Sequence, residues 1–267
     1  MKIAYLGYDL LYPCLEALEG SGCEVLEVFT CATDQEFEFN DRVTAFARER
    51  GLPLHIEKIT REDFRRLKAS GCEAVFCAGY FHRVPTDHDL PIINVHPALL
   101  PIGRGAWPMP VWILRGMTEG GVTLHKMAAD FDTGDILIQK AFPITEADDL
   151  ETLTEKICQI GAELCAEVAG DLGRYLANAR AQGEGEYWPC PQKEDATVTA
   201  DTPPDVTRRI FRAFYGFDCY LRTDTTEICV VGGRFRPCVH EFPFGTETDG
   251  GIAVTGGMIV LEKPKNL

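Results

Sequence analysis

Lys2-Ile-Ala-Tyr-Leu-Gly7, then Leu11, Leu15 and Leu18, then Glu24-Val-Leu-Glu-Val-Phe-Thr30: these residues decide the fold class. The first run is continuously apolar and stops at a glycine, as a buried strand does. The leucines recur every three to four residues up to Gly20-Ser-Gly22, which makes one helical face apolar. The third run alternates and reads as a second strand. A strand, a helix and a strand so close together form a right-handed unit with parallel strands. The pattern then repeats. Asp41 to Arg50 reads as a helix stopped by Gly51, and Leu52–Ile56 as a short strand. Thr60-Arg-Glu-Asp63 resembles a capping box opening a helix to Ser70, Glu73–Gly79 is a fourth strand and Ile92–Val95 a fifth. The expectation is an α/β, Rossmann-like fold with a mostly parallel sheet and flanking helices.

Beyond residue 100 the pattern changes. Trp107 to Arg115 suggests a helix, and 121–127 and 135–142 suggest strands. A long amphipathic helix is expected from Asp149 to Ala177, with Leu150, Leu153, Ile157, Ile160, Leu164 and Val168 on one face. Gln182-Gly-Glu-Gly-Glu marks a boundary, and Tyr187 to Pro204 reads as extended linker. A helix over 205–214 and strands at 219–222, 227–231, 251–254 and 258–262 follow. The expected division is a large domain over 1–180, a linker over 181–203 and a small β-rich domain over 204–267. A tail of about 65 residues is small for a core of its own, so it should pack on the large domain or on a second copy, giving a homodimer.

The chain has 267 residues, is 45% hydrophobic and 25% charged, and carries a formal charge of −15. Those proportions are ordinary for a soluble globular protein. No apolar run reaches the roughly 18 residues of a membrane span, and the N-terminus meets charge and turn residues too early for a signal peptide. The 11 cysteines are scattered without a Cys-x-x-Cys, which argues against a disulfide framework or zinc site and fits a reducing cytoplasm. No metal is expected. Lys and Arg are thinly spread, and the densest pairs, Arg65-Arg66 and Arg208-Arg209, lie in helical patterns, so nucleic acid is disfavoured as a partner. Leu6-Gly-Tyr-Asp lacks the three glycines of a dinucleotide fingerprint, and no phosphate-binding Gly-x-x-x-x-Gly-Lys loop occurs.

The chemistry concentrates between Ile92 and Ile136. Ile92-Ile-Asn-Val-His-Pro97 is a strand that delivers Asn94 and His96 to one side, because residues i and i+2 of a strand face the same way. Pro97 cannot donate to a ladder, so the strand should end there. In open α/β sheets ligands sit beyond such carboxyl ends. Asp132-Thr-Gly134 adds a carboxylate in a turn. Folded back beside His96, it would complete an amide donor, a base and a carboxylate that orients the base. Taken alone, His96 could equally be a buried structural histidine, and Asp132 a turn residue of the kind that precedes glycine. Arg104 suits either a ligand phosphate or carboxylate, or an acid at the core edge. Tyr80, Phe81 and Trp107 suit a pocket or the core. His125, on an alternating strand, reads as structural.

Three ordered motifs resemble the folate-dependent formyltransferases. These are Asn94-Val-His96, then Pro97-Ala-Leu-Leu-Pro101-Ile-Gly-Arg104-Gly105, then Asp132-Thr-Gly134, 36 residues past His96. Ala98 stands where the family usually has Ser. The resemblance extends to Phe76-Cys-Ala-Gly79-Tyr80, similar to the loop that cradles the folate pterin, and to Gly121-Val-Thr-Leu-His125 and Gly134-Asp-Ile-Leu. The tail, with Arg212-Ala-Phe-Tyr-Gly and Gly251-Ile-Ala-Val, resembles a shortened form of the small OB-like barrel domain of methionyl-tRNA and sugar-nucleotide members. Glycinamide-ribonucleotide members carry a Gly-Ser-Asn phosphate loop where this chain has Gly7-Tyr8-Asp9, so that acceptor is not expected. Methionyl-tRNA members carry a basic insertion after the second strand, where this chain has the acidic stretch Cys31-Ala-Thr-Asp-Gln-Glu-Phe-Glu-Phe-Asn-Asp41.

The resemblance implies transfer of a formyl group from N10-formyltetrahydrofolate to an amine. It makes Asn94, His96 and Asp132 catalytic and places the pterin against Ala78, Gly79, Tyr80, Phe131, Thr133, Gly134 and Asp135. Tyr8, Arg104 and Trp107 are candidates for binding the acceptor. The acidic stretch and the net charge favour a small amine, an amino-sugar nucleotide, with methionyl-tRNA as runner-up. A water acceptor would make a formyltetrahydrofolate hydrolase, and a chain idle in catalysis would only bind folate.

Overall fold

Ile3, Ala4, Tyr5 and Leu6 have no solvent exposure, the burial expected of a strand covered on both faces. In the computed structural model, which describes residues 1–34, Glu36 and 38–262, they lie in β1 (Lys2–Gly7), an interior strand of a seven-stranded sheet. Gln35 and Phe37 of the acidic stretch, and residues 263–267 of the tail, lie outside the described residues.

The chain leaves β1 through α1 (Tyr12–Gly20) to β2 (Glu24–Phe29), and through α2 (Asp41–Glu49) to β3 (Leu54–His55). It then crosses by α3 (Arg61–Ala69) to β4 (Ala74–Ala78) and on to β5 (Ile92–His96). A short β6 (Ile102–Arg104) and α4 (Pro108–Leu114) precede β7 (Glu119–Lys126) and β8 (Ile136–Pro143). The strand order is β3-β2-β1-β4-β5-β7-β8. β1 to β5 pair in parallel, and β7 runs antiparallel to β5. The chain thus builds outward on one side of β1 and then restarts on the other, so the order reverses between β1 and β4. That reversal opens a crevice at the carboxyl ends of these strands, where α/β sheets bind ligands.

The expected capping box is present. Thr60 accepts from the Asp63 N–H, and Asp63 accepts from Thr60. The helix it starts buries Phe64 and Leu67 in a core with Phe29, Ile59, Val75 and Ile92. Each such side chain contributes roughly 1.5–3 kcal/mol.

The helix expected over 149–177 is two helices, α5 (Leu150–Gly170) and α6 (Leu172–Ala177). Asp171 interrupts it with φ −152° and accepts a hydrogen bond from Arg174 N–H, capping a new start instead of continuing the old helix. Residues read as extended linker carry β9 (Glu186–Tyr187), paired with β6, and β10 (Thr197–Val198). After α7 (Pro204–Ala213) come β11 (Asp218–Arg222), β12 (Glu227–Val231), β13 (Gly233–Pro237), β14 (Glu247–Thr248), β15 (Gly251–Val254) and β16 (Gly257–Leu261). These form two sheets, β10-β11-β12 and β13-β16-β15-β14.

Two compact units result. The first comprises residues 1–105, 121–142 and 156–187; the second comprises 106–120, 143–155 and the chain from 188. No helix among the described residues is long and apolar enough to cross a membrane.

Candidate active site

β5 ends as its sequence requires, and its last turn of chain carries Asn94 and His96 on one face. The antiparallel pairing sets His125 opposite Asn94 and Thr123 opposite His96, so all four side chains share that face. Asp132 arrives from the turn between β7 and β8. Its φ of 53° puts it in the left-handed region, which Asp tolerates better than most residues. Gly134 permits this turn: a Cβ there would lie 1.8 Å from the Lys126 carbonyl oxygen.

One carboxylate oxygen then becomes the hub. Asp132 Oδ1 lies 3.4 Å from Asn94 Nδ2, 3.6 Å from His96 Nδ1 and 3.5 Å from His125 Nε2. Its other oxygen, Oδ2, accepts the Gly105 N–H at 2.9 Å. Burial pushes the Asp132 carboxyl up. The His96 ring and the Gly105 N–H act against burial, and the carboxyl is held at about 2, so it is ionised at neutral pH.

His96 is 4% exposed and donates from Nε2 to the Gly103 carbonyl at 2.8 Å. In the neutral ring that leaves the Nδ1 lone pair on the side of Asp132. Burial lowers the His96 pKa, while the Asp132 charge raises it, His125 lowers it and the Gly103 carbonyl raises it; the balance is a lowered value. His96 is therefore a neutral base with a carboxylate ready to stabilise the protonated ring. Asn94 supplies amide N–H groups next to it. Together these groups can accept a proton at Nδ1 and stabilise negative charge on a neighbouring oxygen.

A second layer braces this cluster. Thr123 Oγ1 donates to the Ala98 carbonyl at 2.5 Å and accepts from Leu100 N–H, while Gln139 Nε2 donates to Leu100 O and to Thr123 Oγ1. Gln182 Nε2 donates to the carbonyls of Asp132 and Gly134, at 2.9 and 2.6 Å, and Gln182 Oε1 accepts from Arg104 at 2.9 Å.

The sequence-derived candidates divide accordingly. Asn94, His96 and Asp132 come together as expected. Ala78 is buried at the end of β4, and Gly79 follows with φ 70°, its Cβ position 2.9 Å from the Tyr8 ring. Tyr8 is nearly buried and packs on Phe81 with ring centroids 4.6 Å apart. Burial and the nearby acids Glu38 and Asp34 raise its pKa.

Tyr80 instead faces the core. Its hydroxyl accepts from the Ile59 N–H at 3.0 Å, and burial pushes its pKa up to about 12. Phe131 is 67% exposed, Thr133 donates to the Asp130 carbonyl, and Asp135 pairs with Lys126. The Arg104 guanidinium bonds to Gln182 and the Gly183 carbonyl, which is neither of the two partners expected for it. Trp107 belongs to the second unit, where it packs on Phe217 and Phe214 with centroids 5.0 and 5.9 Å away.

His125, read from the sequence as a strand residue of structural character, stands beside Asn94 and Asp132 with 1% exposure. Gln182, read as a boundary residue, reaches the Asp132–Gly134 turn. His125 could have been found only by pairing β5 with β7 in register; Gln182 has no local signal at all.

Comparison with known proteins adds four findings. A family model described as formyl transferase matches residues 31–169. The chain is 30% identical to the methionyl-tRNA formyltransferase of Caldanaerobacter subterraneus subsp. tengcongensis, over all of this chain and 89% of that one. Its fold is similar to a sugar N-formyltransferase from a Shewanella species, with TM-score 0.67, 20% identity, and coverage of 86% of this chain and 96% of that one. It is similar also to a sugar 3N-formyl transferase solved with dTDP and 5-N-formyl-THF, with TM-score 0.69, 16% identity, and coverage of 100% and 99%.

Proposed function

The chain belongs to the formyl transferase family, and we propose that it moves the formyl group of N10-formyltetrahydrofolate to the amine of a small acceptor, an amino sugar carried on a nucleotide. The observation that carries the transfer is the convergence of Asn94, His96 and Asp132 on one face at the carboxyl end of β5. The folate supplies the one-carbon unit. Its ring system suits the strand end at Ala78 and Gly79 and the turn 131–135, where the Phe131 ring offers an exposed apolar face.

Asn94 donates an N–H to the formyl oxygen as the acceptor nitrogen adds to the formyl carbon. His96 takes the proton shed by that nitrogen at Nδ1. The bond from the formyl carbon to the folate N10 breaks, and His96 returns the proton to N10. Asp132 stays ionised and offsets the charge on His96 while it holds the proton.

The acceptor reading rests on charge. The described acids of the stretch after β2, Asp34, Glu36, Glu38 and Asp41, surround no basic residue in sequence until Arg42. The two densest basic pairs are internally neutralised. Arg65 pairs with Glu62, Arg66 with Glu27 and Asp63, Arg208 with Glu146, and Arg209 with Asp205. A polyanion therefore meets little free positive charge at these places.

A methionyl-tRNA acceptor is the second reading, favoured by the full-length likeness to such an enzyme. Formyl transfer assayed against amino sugars, sugar nucleotides and Met-tRNA decides between them. Turnover confined to a small amine, with a rate insensitive to salt, is the expected result. Turnover of Met-tRNA with affinity falling steeply as salt rises would replace the small acceptor. Formate release without any amine would make the enzyme a hydrolase.

A further inference from the structure

We propose that His125 is a positioning residue for the transfer: its Nε2 accepts one hydrogen of the Asn94 amide and so keeps the amide nitrogen, not the amide oxygen, toward the reacting centre. This inference rests on the formyl-transfer role of Asn94 and adds a residue to it.

The chain of hydrogen bonds leaves little freedom. His125 Nδ1 is 2.8 Å from the Lys126 carbonyl oxygen, which can only accept, so Nδ1 carries a proton. In the neutral ring, Nε2 is then an acceptor. Asn94 Nδ2 lies 3.1 Å from it and supplies an N–H. The same nitrogen is 3.4 Å from Asp132 Oδ1 and directs its second N–H there. A flipped amide would set its oxygen against a ring lone pair on one side and a carboxylate on the other, so both neighbours select one orientation. Burial sharpens the choice, because His125 is 1% exposed and water cannot substitute for either partner.

The two hydrogens are not equivalent. The one on His125 makes the shorter contact and anchors the amide. The one facing Asp132 makes a long contact to an oxygen that also lies 3.6 Å from His96 Nδ1. When His96 takes up a proton, that oxygen gains a better donor, and the second Asn94 N–H is released to the formyl oxygen. Proton uptake at His96 and hydrogen-bond donation by Asn94 thus become one event, provided His125 keeps the amide from rotating.

His125→Met and His125→Gln in the full chain test this. Met has a similar length without the acceptor, whereas the Oε1 of Gln can reach the place of Nε2. His125→Met should lower kcat about 10–100-fold while leaving KM for folate and amine within about threefold. His125→Gln should recover kcat to within about fivefold of the wild type. A wild-type kcat in His125→Met, or equal damage in both variants, would overturn the assignment.

Nitrogen-15 spectra of the histidine rings in the wild-type protein give a readout independent of turnover and of the variants' folding. Protonated Nδ1 and bare, hydrogen-bonded Nε2 on His125 are expected; the opposite tautomer would overturn the proposal. A wild type that formylates no amine sinks the transfer reading, while the ring spectrum still decides how His125 holds Asn94.

Discussion

Asp132 does three jobs with one side chain: it sits at a positive φ, holds the Gly105 N–H, and presents a charge to two imidazoles. Asn in its place can adopt the same backbone conformation and accept the same N–H. Asp132→Asn should therefore keep the melting temperature near that of the wild type and lower kcat by at least about 10²-fold, because only the charge is lost. A near-wild-type kcat would remove Asp132 from the mechanism. The pH dependence follows from His96. In the proposed mechanism its active form is the neutral base, present above its pKa and lost as pH falls through it. Burial is the largest influence and lowers that pKa. The acid limb of kcat/KM should then lie below the ordinary imidazole value of about 6.5. A limb above that value would mean that the charge of Asp132 outweighs burial. Asn94 and His96 were legible as a same-face pair because strand geometry alone relates i and i+2. The tautomer of His96 was not, since it depends on the Gly103 carbonyl meeting Nε2.

At the level of elements, the Asp132–Gly134 turn is held by a segment that sequence reading treats as a connection. Gln182 ties two carbonyls of the Asp132–Gly134 turn to Arg104 on β6, and β9 continues the same contact by pairing with β6. Gln182→Ala should lower kcat about tenfold and cost about 1 kcal/mol in urea unfolding, since it takes the Gln182 N–H from two half-buried carbonyls. If kcat is unchanged, the bridge steadies the fold without serving the turn. The break at Asp171 has the same origin. A helical face periodic from Leu150 onward says nothing of where backbone N–H groups find a better partner, and there the Asp171 side chain supplies one. The capping box at Thr60, by contrast, lies within four consecutive residues and was legible for that reason.

Across the described residues, most arginines have a carboxylate partner. In the second unit Arg234 Nη2 lies 2.8 Å from Asp149 Oδ2, and Asp149 is 1% exposed. Removing the guanidinium leaves a buried carboxylate that keeps the Thr152 N–H on Oδ1 and loses the cation beside Oδ2. Arg234→Ala should cost about 2 kcal/mol, less than a fully buried pair because the guanidinium is 33% exposed. Urea unfolding followed by fluorescence measures this, and a loss under about 0.5 kcal/mol would show that the pair contributes little. A negative chain can still carry basic clusters, but here Arg208 and Arg212 pair with Glu146, Arg234 with Asp149 and Glu262, and Arg236 with Glu262.

The sequence by itself determined the α/β class, the order of the main strands and helices, and the three side chains at the centre of the site. Apolar periodicity, glycine stops and motif spacing are local properties, and each of these features is written in residues close together or at a fixed separation. Only the tertiary structure decided that β7 returns antiparallel to β5, bringing His125 against Asn94, and that Gln182 reaches Asp132 from 50 residues away. Both depend on strand register and chain return. Those are set by how the whole sheet packs, since a cross-strand neighbour leaves no periodic mark in its own segment.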